Sequence, residues 1–276
     1  MSSNCDTCPS KGKCTSDKGS CSIENNVNNK VKKVIAVMSG KGGVGKSTMS
    51  TMIAKTLRKK GYSVGVLDAD ITGPSIPRLL NIKETEVFGS EQGILPVASK
   101  EDIKVMSINF LINDEESPVI LRGPAVSATV KQFWTDVYWG ELDYLIIDMP
   151  PGTGDVPLTV MQSIPINGVV VVTTPQDMVS MIVAKSINMA RKMNVEVLGV
   201  IQNMSYLVCP DCNTKIKIFK DEDFKEYIDR MHTKLLGEMP MTLDLAKISD
   251  GEVTQYGDKV EETLNEITDE IEKFCK

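Results

Sequence analysis

This 276-residue chain has only one histidine, His232. A metal site here cannot draw on a histidine cluster, and His232 itself lies in an amphipathic segment, as a surface residue would. Excess positive charge is missing too. The 31 lysines and arginines are outnumbered by 37 aspartates and glutamates, a formal net charge of −6. That balance argues against general electrostatic binding to nucleic acid or to an anionic membrane. No apolar run approaches the length of a bilayer span. The polar, cysteine-rich start does not resemble a secretory signal, so a cytoplasmic location is expected. There is no internal repeat. The length suits one large α/β domain or two small ones.

Cysteine is present in an odd number, seven, and unevenly placed. Cys5, Cys8, Cys14 and Cys21 crowd the first residues, Cys209 and Cys212 form an isolated C-x-x-C, and Cys275 stands alone. Residues 1–30 are otherwise rich in Ser, Asn, Lys and Gly, with almost no apolar pattern. Without a metal they bury too little surface to offset their ordering entropy. They are assigned as a cysteine-rich tail that ends in a polar linker, Glu24 to Lys30. Residues 31–276 are assigned as one domain.

Within that domain short apolar runs alternate with amphipathic segments of helical length. Strands are expected at Lys33–Met38, Ser63–Asp68, Ile103–Ser107, Tyr144–Asp148, Gly168–Thr174, Val195–Asn203 and Leu235–Glu238. Helices are expected at Lys46–Lys60, Ala125–Val137, Val156–Ser163, Met178–Met193 and Asp258–Phe274. Most of the strands are continuously apolar, as parallel strands covered on both faces are. The pattern predicts a doubly wound α/β fold, with ligands at the carboxyl ends of its strands.

The first strand runs into Gly40, Lys41, Gly42, Gly43, Val44, Gly45, Lys46, Ser47 and Thr48. This matches the template G-x-x-x-x-G-K-[ST] in its strand–loop–helix context. Glycines let backbone N–H groups turn toward phosphate oxygens, and the helix N-terminus adds partial positive charge. Lys46 is expected to reach the β- and γ-phosphates of ATP, and the Ser47 hydroxyl to ligate Mg²⁺. Two further strands end in carboxylates. Asp68 and Asp70 close the second, with Asp70 the candidate to orient an attacking water and Asp68 nearer the Mg²⁺. Asp148 closes another and is placed to hold Mg²⁺ through water. The Pro-Pro-Gly-Thr-Gly loop after it is positioned to sense the γ-phosphate, with Asp155 expected to cap the next helix. Asn203, expected at the end of a later strand, offers a carboxamide to the adenine edge.

Two thiolates, Cys209 and Cys212, grip one edge of a metal, whereas Zn²⁺ or a [4Fe–4S] cluster needs four ligands. A two-fold homodimer would present the pair twice. A redox pair and half of a zinc ribbon are the alternatives.

The loop resembles the deviant Walker A ATPases, a class that includes MinD, ParA and the nitrogenase iron protein, because of its extra lysine, Lys41. The resemblance implies that Lys41 reaches the partner subunit's nucleotide. Residues 33 to about 260 resemble more closely the Mrp/ApbC-type P-loop ATPases, the iron–sulfur cluster carriers. The segments that carry it are GKGGVGKST (40–48), DADITGPSIPRLL (68–80), RGPAVSATVKQF (122–133), WGELDYLIIDMPPGTGD (139–155), VTTPQD (172–177), NMSYLVCPDC (203–212) and LLGEMP (235–240). This resemblance implies a homodimer that binds and slowly hydrolyses ATP. It would hold a labile [4Fe–4S] cluster between two Cys209/Cys212 pairs and pass it to apo iron–sulfur proteins, with cluster assembly factors as further partners. Longer members carry a second cluster on a tail with one upstream cysteine and then C-x₂-C-x₅-C. Cys5, Cys8 and Cys14 match that spacing, the upstream cysteine is absent, and Cys21 would have to replace it. A second departure is Ile218–Phe224, where the family has a glycine-rich stretch. The competing assignment is a MinD/ParA-like positioning or regulatory ATPase with structural zinc at the cysteines. The acidic terminal helix, with Glu261, Glu262, Glu266, Asp269, Glu270 and Glu272, counts against membrane or DNA positioning.

Overall fold

The computed structural model describes residues 25–71, 73–83, 86–111, 123–175, 179–209, 211–212, 214–217, 224–242 and 257–275. Cys5, Cys8, Cys14 and Cys21 lie outside these residues, as do Arg122, Gln176, Asp177 and 218–223.

In chain order the elements are β1 (Lys30–Ser39), α1 (Lys46–Lys59), β2 (Val64–Asp68), α2 (Ile76–Leu79), β3 (Gly89–Ser90), β4 (Gly93–Ile94), β5 (Val97–Ala98) and β6 (Lys104–Met106). Then come α3 (Gly123–Thr135), β7 (Glu141–Asp148), α4 (Asp155–Ser163), β8 (Gly168–Thr173) and α5 (Val179–Lys192). The last are β9 (Glu196–Val208), β10 (Lys215–Ile216), α6 (Phe224–Arg230), β11 (Leu235–Pro240) and α7 (Asp258–Cys275). The main sheet runs β10-β9-β8-β1-β7-β2-β6-β5, with β11 also paired to β9. Its central pairs are parallel; only β5 and β10 run antiparallel to their neighbours.

The apolar runs explain that order. β2 and β8 are buried along their whole length, as strands with helices on both faces must be. α7 lays Val260, Leu264, Ile267 and Ile271, spaced at helical period, into the core. Its outer edge binds α1 through ions: Lys59 to Glu261 at 2.7 Å, and Lys60 to both Asp269 at 2.5 Å and Glu272 at 2.7 Å. The acidic helix is thus partly neutralised within the chain.

Two sequence expectations change. β9 does not stop at Asn203 but continues to Val208, delivering the chain directly to Cys209. Later segments provide ladder partners there: Pro240 pairs with Tyr206, and Lys215 and Ile216 pair with Val208 and Leu207. The end of the polar linker is also built into the fold. Buried Asn29 donates to the Val137 carbonyl at 2.9 Å and accepts from Gly140 N–H at 3.0 Å.

Candidate functional site

The phosphate loop leaves the end of central β1 and enters α1 at Gly45, which has φ of +81°. A Cβ at Gly45 would lie 2.2 Å from the Asn203 Nδ2, so both the backbone angle and the space demand glycine. Asn203 Nδ2 donates to the Val44 carbonyl at 2.9 Å, clamping the loop to β9. Its Oδ1 is buried and has no hydrogen-bond partner among the described residues. An orphaned acceptor of this kind calls for a donor from elsewhere.

Parallel pairing brings the carboxylates together. Asp68 stands opposite Asp148 in register, and Val37 of β1 stands on the other side of Asp148. Asp148 is fully buried and accepts three bonds. Lys46 Nζ donates to its Oδ2 at 2.8 Å, Ser47 Oγ to the same oxygen at 2.6 Å, and Ser50 Oγ to Oδ1 at 2.7 Å. Lys46 also lies 3.7 Å from an Asp70 oxygen. Asp68 is held by protein donors: Asp70 N–H at 3.2 Å, Ser107 Oγ–H at 3.1 Å and Ile76 N–H at 3.4 Å. Burial, then the charge of Asp148, pushes the Asp68 carboxyl up to about 8. Three carboxyl groups meet one ammonium here, an oxygen-rich setting that suits a hard divalent cation.

The loop after Asp148 is tied back to β1. Met149 N–H donates to Val37 at 3.0 Å, and Gly152 N–H to Ser39 at 2.8 Å. Asp155 does not cap α4. The N-cap is Gly154, with no side-chain cap bond, and Asp155 occupies the first turn, where its charge complements the helix dipole. Lys41 is half-buried on the loop. His232 is exposed in a turn after α6.

The cysteine pair follows β9. Cys209 is half-buried and Cys212 is exposed. Cys209 N–H donates to the Thr214 carbonyl at 3.0 Å, and Cys212 Sγ lies 3.2 Å from Thr214 Oγ1. The Thr214 hydroxyl and backbone, together with Cys209, hold the Cys212 thiol below its ordinary value. Among the described residues, no group of three or more His, Cys, Asp or Glu side chains could hold a metal ion. Two exposed apolar side chains lie beside this segment: Ile216, paired with Leu207, and Met241, whose N–H donates to the Tyr206 carbonyl. Cys275, on the last helix, is half-buried and its thiol is raised by burial.

Ser50 and Ser107 escaped the sequence reading. Ser50 could have been found, since it lies one helical turn after Lys46 on the same face of α1. Ser107 could not, because it reaches Asp68 from the end of a neighbouring strand, β6.

A mostly parallel sheet, a glycine loop opening α1 and acidic groups at adjacent strand ends define a P-loop NTPase. A solved nucleotide-binding protein from Archaeoglobus fulgidus, in complex with ADP, superposes with a TM-score of 0.72 at 40% identity, covering 83% of this chain and 94% of that one. The family model described as NUBPL iron-transfer P-loop NTPase, of the ParA group, matches residues 30–274, and the chain belongs to that family. It is 47% identical over 269 residues to an iron-sulfur cluster carrier protein of Clostridium perfringens, covering 92% of this chain and 94% of the relative. It is 45% identical over 217 residues to a cytosolic Fe-S cluster assembly factor, a Nubp2 homolog of Drosophila ananassae, covering 77% and 83%. No helix among the described residues is long and apolar enough to cross a membrane.

Proposed function

We propose that the protein is a cytoplasmic, ATP-dependent carrier of iron–sulfur clusters. It acts as a homodimer that holds a [4Fe–4S] cluster between two Cys209/Cys212 pairs and releases it to apoproteins. The observation that carries this reading is the incomplete thiol pair. Two cysteines stand on one accessible turn, with no third ligand among the described residues, beside exposed Ile216 and Met241. A second copy supplies the missing two ligands by symmetry. The family membership and the names of the relatives support the same cargo.

ATP is the substrate of the other site. Backbone N–H groups of residues 40–45 cradle its phosphates, and Lys46 neutralises charge at the β- and γ-positions. The Oδ1 of Asn203 accepts from the adenine amino group, which satisfies its buried orphan oxygen. Ser47 Oγ and the Asp148 carboxylate, 2.6 Å apart, form an all-oxygen donor set suited to Mg²⁺, with Asp68 behind them. When bound, Mg²⁺ draws electron density from the phosphates. Asp70 takes the water-orienting role, because both Asp68 oxygens are held by protein donors while Asp70 faces Lys46. Lys41 extends to the partner's nucleotide, and hydrolysis is slow and coupled to cluster transfer.

Anaerobic reconstitution tests this reading. The wild type is expected to bind iron and sulfide at the pair and to transfer cluster. Cys209→Ala and Cys212→Ala should lose that content and the transfer, with ATP affinity kept within about threefold. Undiminished transfer by Cys212→Ala, or stoichiometric zinc in place of iron and sulfide, refutes it.

A further inference from the structure

Beyond the phosphate cradle and the cysteines, a cavity of about 500 Å³ opens between α4 and α5. Its floor is apolar, from Leu158, Met189 and Met193, and its α5 rim carries Lys185 and Lys192. On the facing wall stand Thr153, Gly154 and Asp155. The α5 residues recur at positions 185, 189, 192 and 193, so helical period sets a lysine on either side of Met189 along one face.

We infer that this groove docks a short acidic, apolar segment of a protein partner, in a manner that depends on the nucleotide. Charge complementarity selects the occupant. Lys185 and Lys192 are exposed and have no ion pair among the described residues, whereas Lys59, Lys60, Lys234, Lys259 and Lys273 each have a carboxylate partner. On a chain of net charge −6, two unpaired ammonium groups flanking an apolar floor favour a ligand that brings both carboxylates and aliphatic side chains. Asp155 repels a carboxylate, so the acidic groups must lie along α5 and the apolar ones between the helices. The volume suits a few side chains, the size of a short linear motif. Methionines on the floor accept different aliphatic shapes, which suits a carrier with several recipients.

Both walls are seated on the phosphate loop. α5 packs so closely on Gly40 that a Cβ there would lie 1.9 Å from the Ile182 Cγ2 and 2.9 Å from the Ile182 carbonyl oxygen. On the other side, Gly152, one residue before Thr153, bonds to Ser39, the residue before Gly40. A movement of the loop on γ-phosphate loss therefore reaches the two walls by separate routes and alters their separation.

The test uses full-length protein with ¹³C-labelled methionine methyl groups. Met189 and Met193 report on the groove, and Met241, exposed at the end of β11, is the remote control. A capped Asp-Leu-Asp-Leu-Asp peptide should shift Met189 and Met193 saturably and leave Met241 unmoved. Peptides with Ser or Lys in place of Asp should bind about tenfold more weakly or not at all. The K185E/K192E double variant should weaken the acidic peptide about tenfold or more, by loss of attraction and added repulsion, while ATP affinity stays at the wild-type value. Affinity should differ about threefold or more between ADP and a non-hydrolysable ATP analogue. Absence of saturable shifts at millimolar peptide, or equal binding of the lysine peptide, overturns the proposal. So do groove shifts that follow protein concentration alone, since a second copy would then be the occupant. Equal affinity in the two nucleotide states overturns the coupling.

Discussion

The nucleotide pocket and the cysteine turn are linked by one strand, β9, which gives Asn203 to the first and runs into the second, yet they are built by opposite rules. In the pocket, Asp148 accepts from three side chains, Asp68 from three donors, and Lys46 is buried between carboxylates. At the turn, Thr214 holds the Cys209 backbone and the Cys212 thiol, and Cys212 is exposed. The difference has a chemical logic. Positioning a reacting phosphate needs groups that do not reorganise. A cargo site needs ligands that can be reached and relinquished. On the proposed reading, one chain builds all of the first site but the partner's lysine, and only half of the second.

Removing the ammonium should break the contrast most strongly. Lys46→Ala leaves the Asp148 carboxylate buried without its cation. Turnover should fall at least about 10²-fold, ATP should bind more weakly, and the fold should lose about 3 kcal/mol or more. Phosphate release and urea melts measure both. The Cys209→Ala variant should by comparison be nearly neutral for stability.

A narrower cut is Asp70→Ala. Turnover should drop about 10²-fold or more with ATP affinity within about threefold, because the phosphate cradle is untouched. Normal hydrolysis would shift the water-orienting role to another carboxylate.

The third measurement varies pH in metal- and nucleotide-free protein. The folded-state pKa of Asp68 is raised to about 8 from an ordinary 3.8, so between those values the folded state holds a proton that the unfolded chain has lost. Stability from this group must therefore decline as pH rises through that window. Asp68→Asn should flatten the decline by on the order of 1–2 kcal/mol between about pH 6 and pH 8. An unchanged slope would mean that Asp68 ionises normally.

The smallest effect belongs to the turn. Thr214→Val removes the hydroxyl that favours the Cys212 thiolate, so the thiol should rise toward its ordinary value. Alkylation near neutral pH should slow a few-fold. No change would leave the backbone and Cys209 as the groups that matter.

Much of this organisation was legible beforehand. The core strands fell within a few residues of expectation because a continuous apolar run between turn residues has few alternatives once helices cover both faces. The short pieces α2, β3, β4, β5 and β10 were missed, since two to four residues carry no usable periodicity. The extension of β9 was missed for another reason. Met204, Ser205 and Tyr206 do not read as a buried run, and the partners of the extension, Pro240 opposite Tyr206 and β10 opposite Leu207 and Val208, come later in the chain.

What the sequence determined by itself was local: the glycine loop before Lys46, the carboxylates ending apolar strands and the two-residue spacing of Cys209 and Cys212. These follow from short-range sterics and from which side chains a phosphate or a metal accepts. The tertiary structure alone decided that Asp68 stands opposite Asp148, that Ser107 reaches Asp68, that Asn203 clamps Val44 from 159 residues away, and that Ile182 seats α5 on Gly40. Those contacts depend on strand order and crossover geometry. A parallel sheet makes neighbours of residues far apart in the chain, and no periodicity along the chain records which ones.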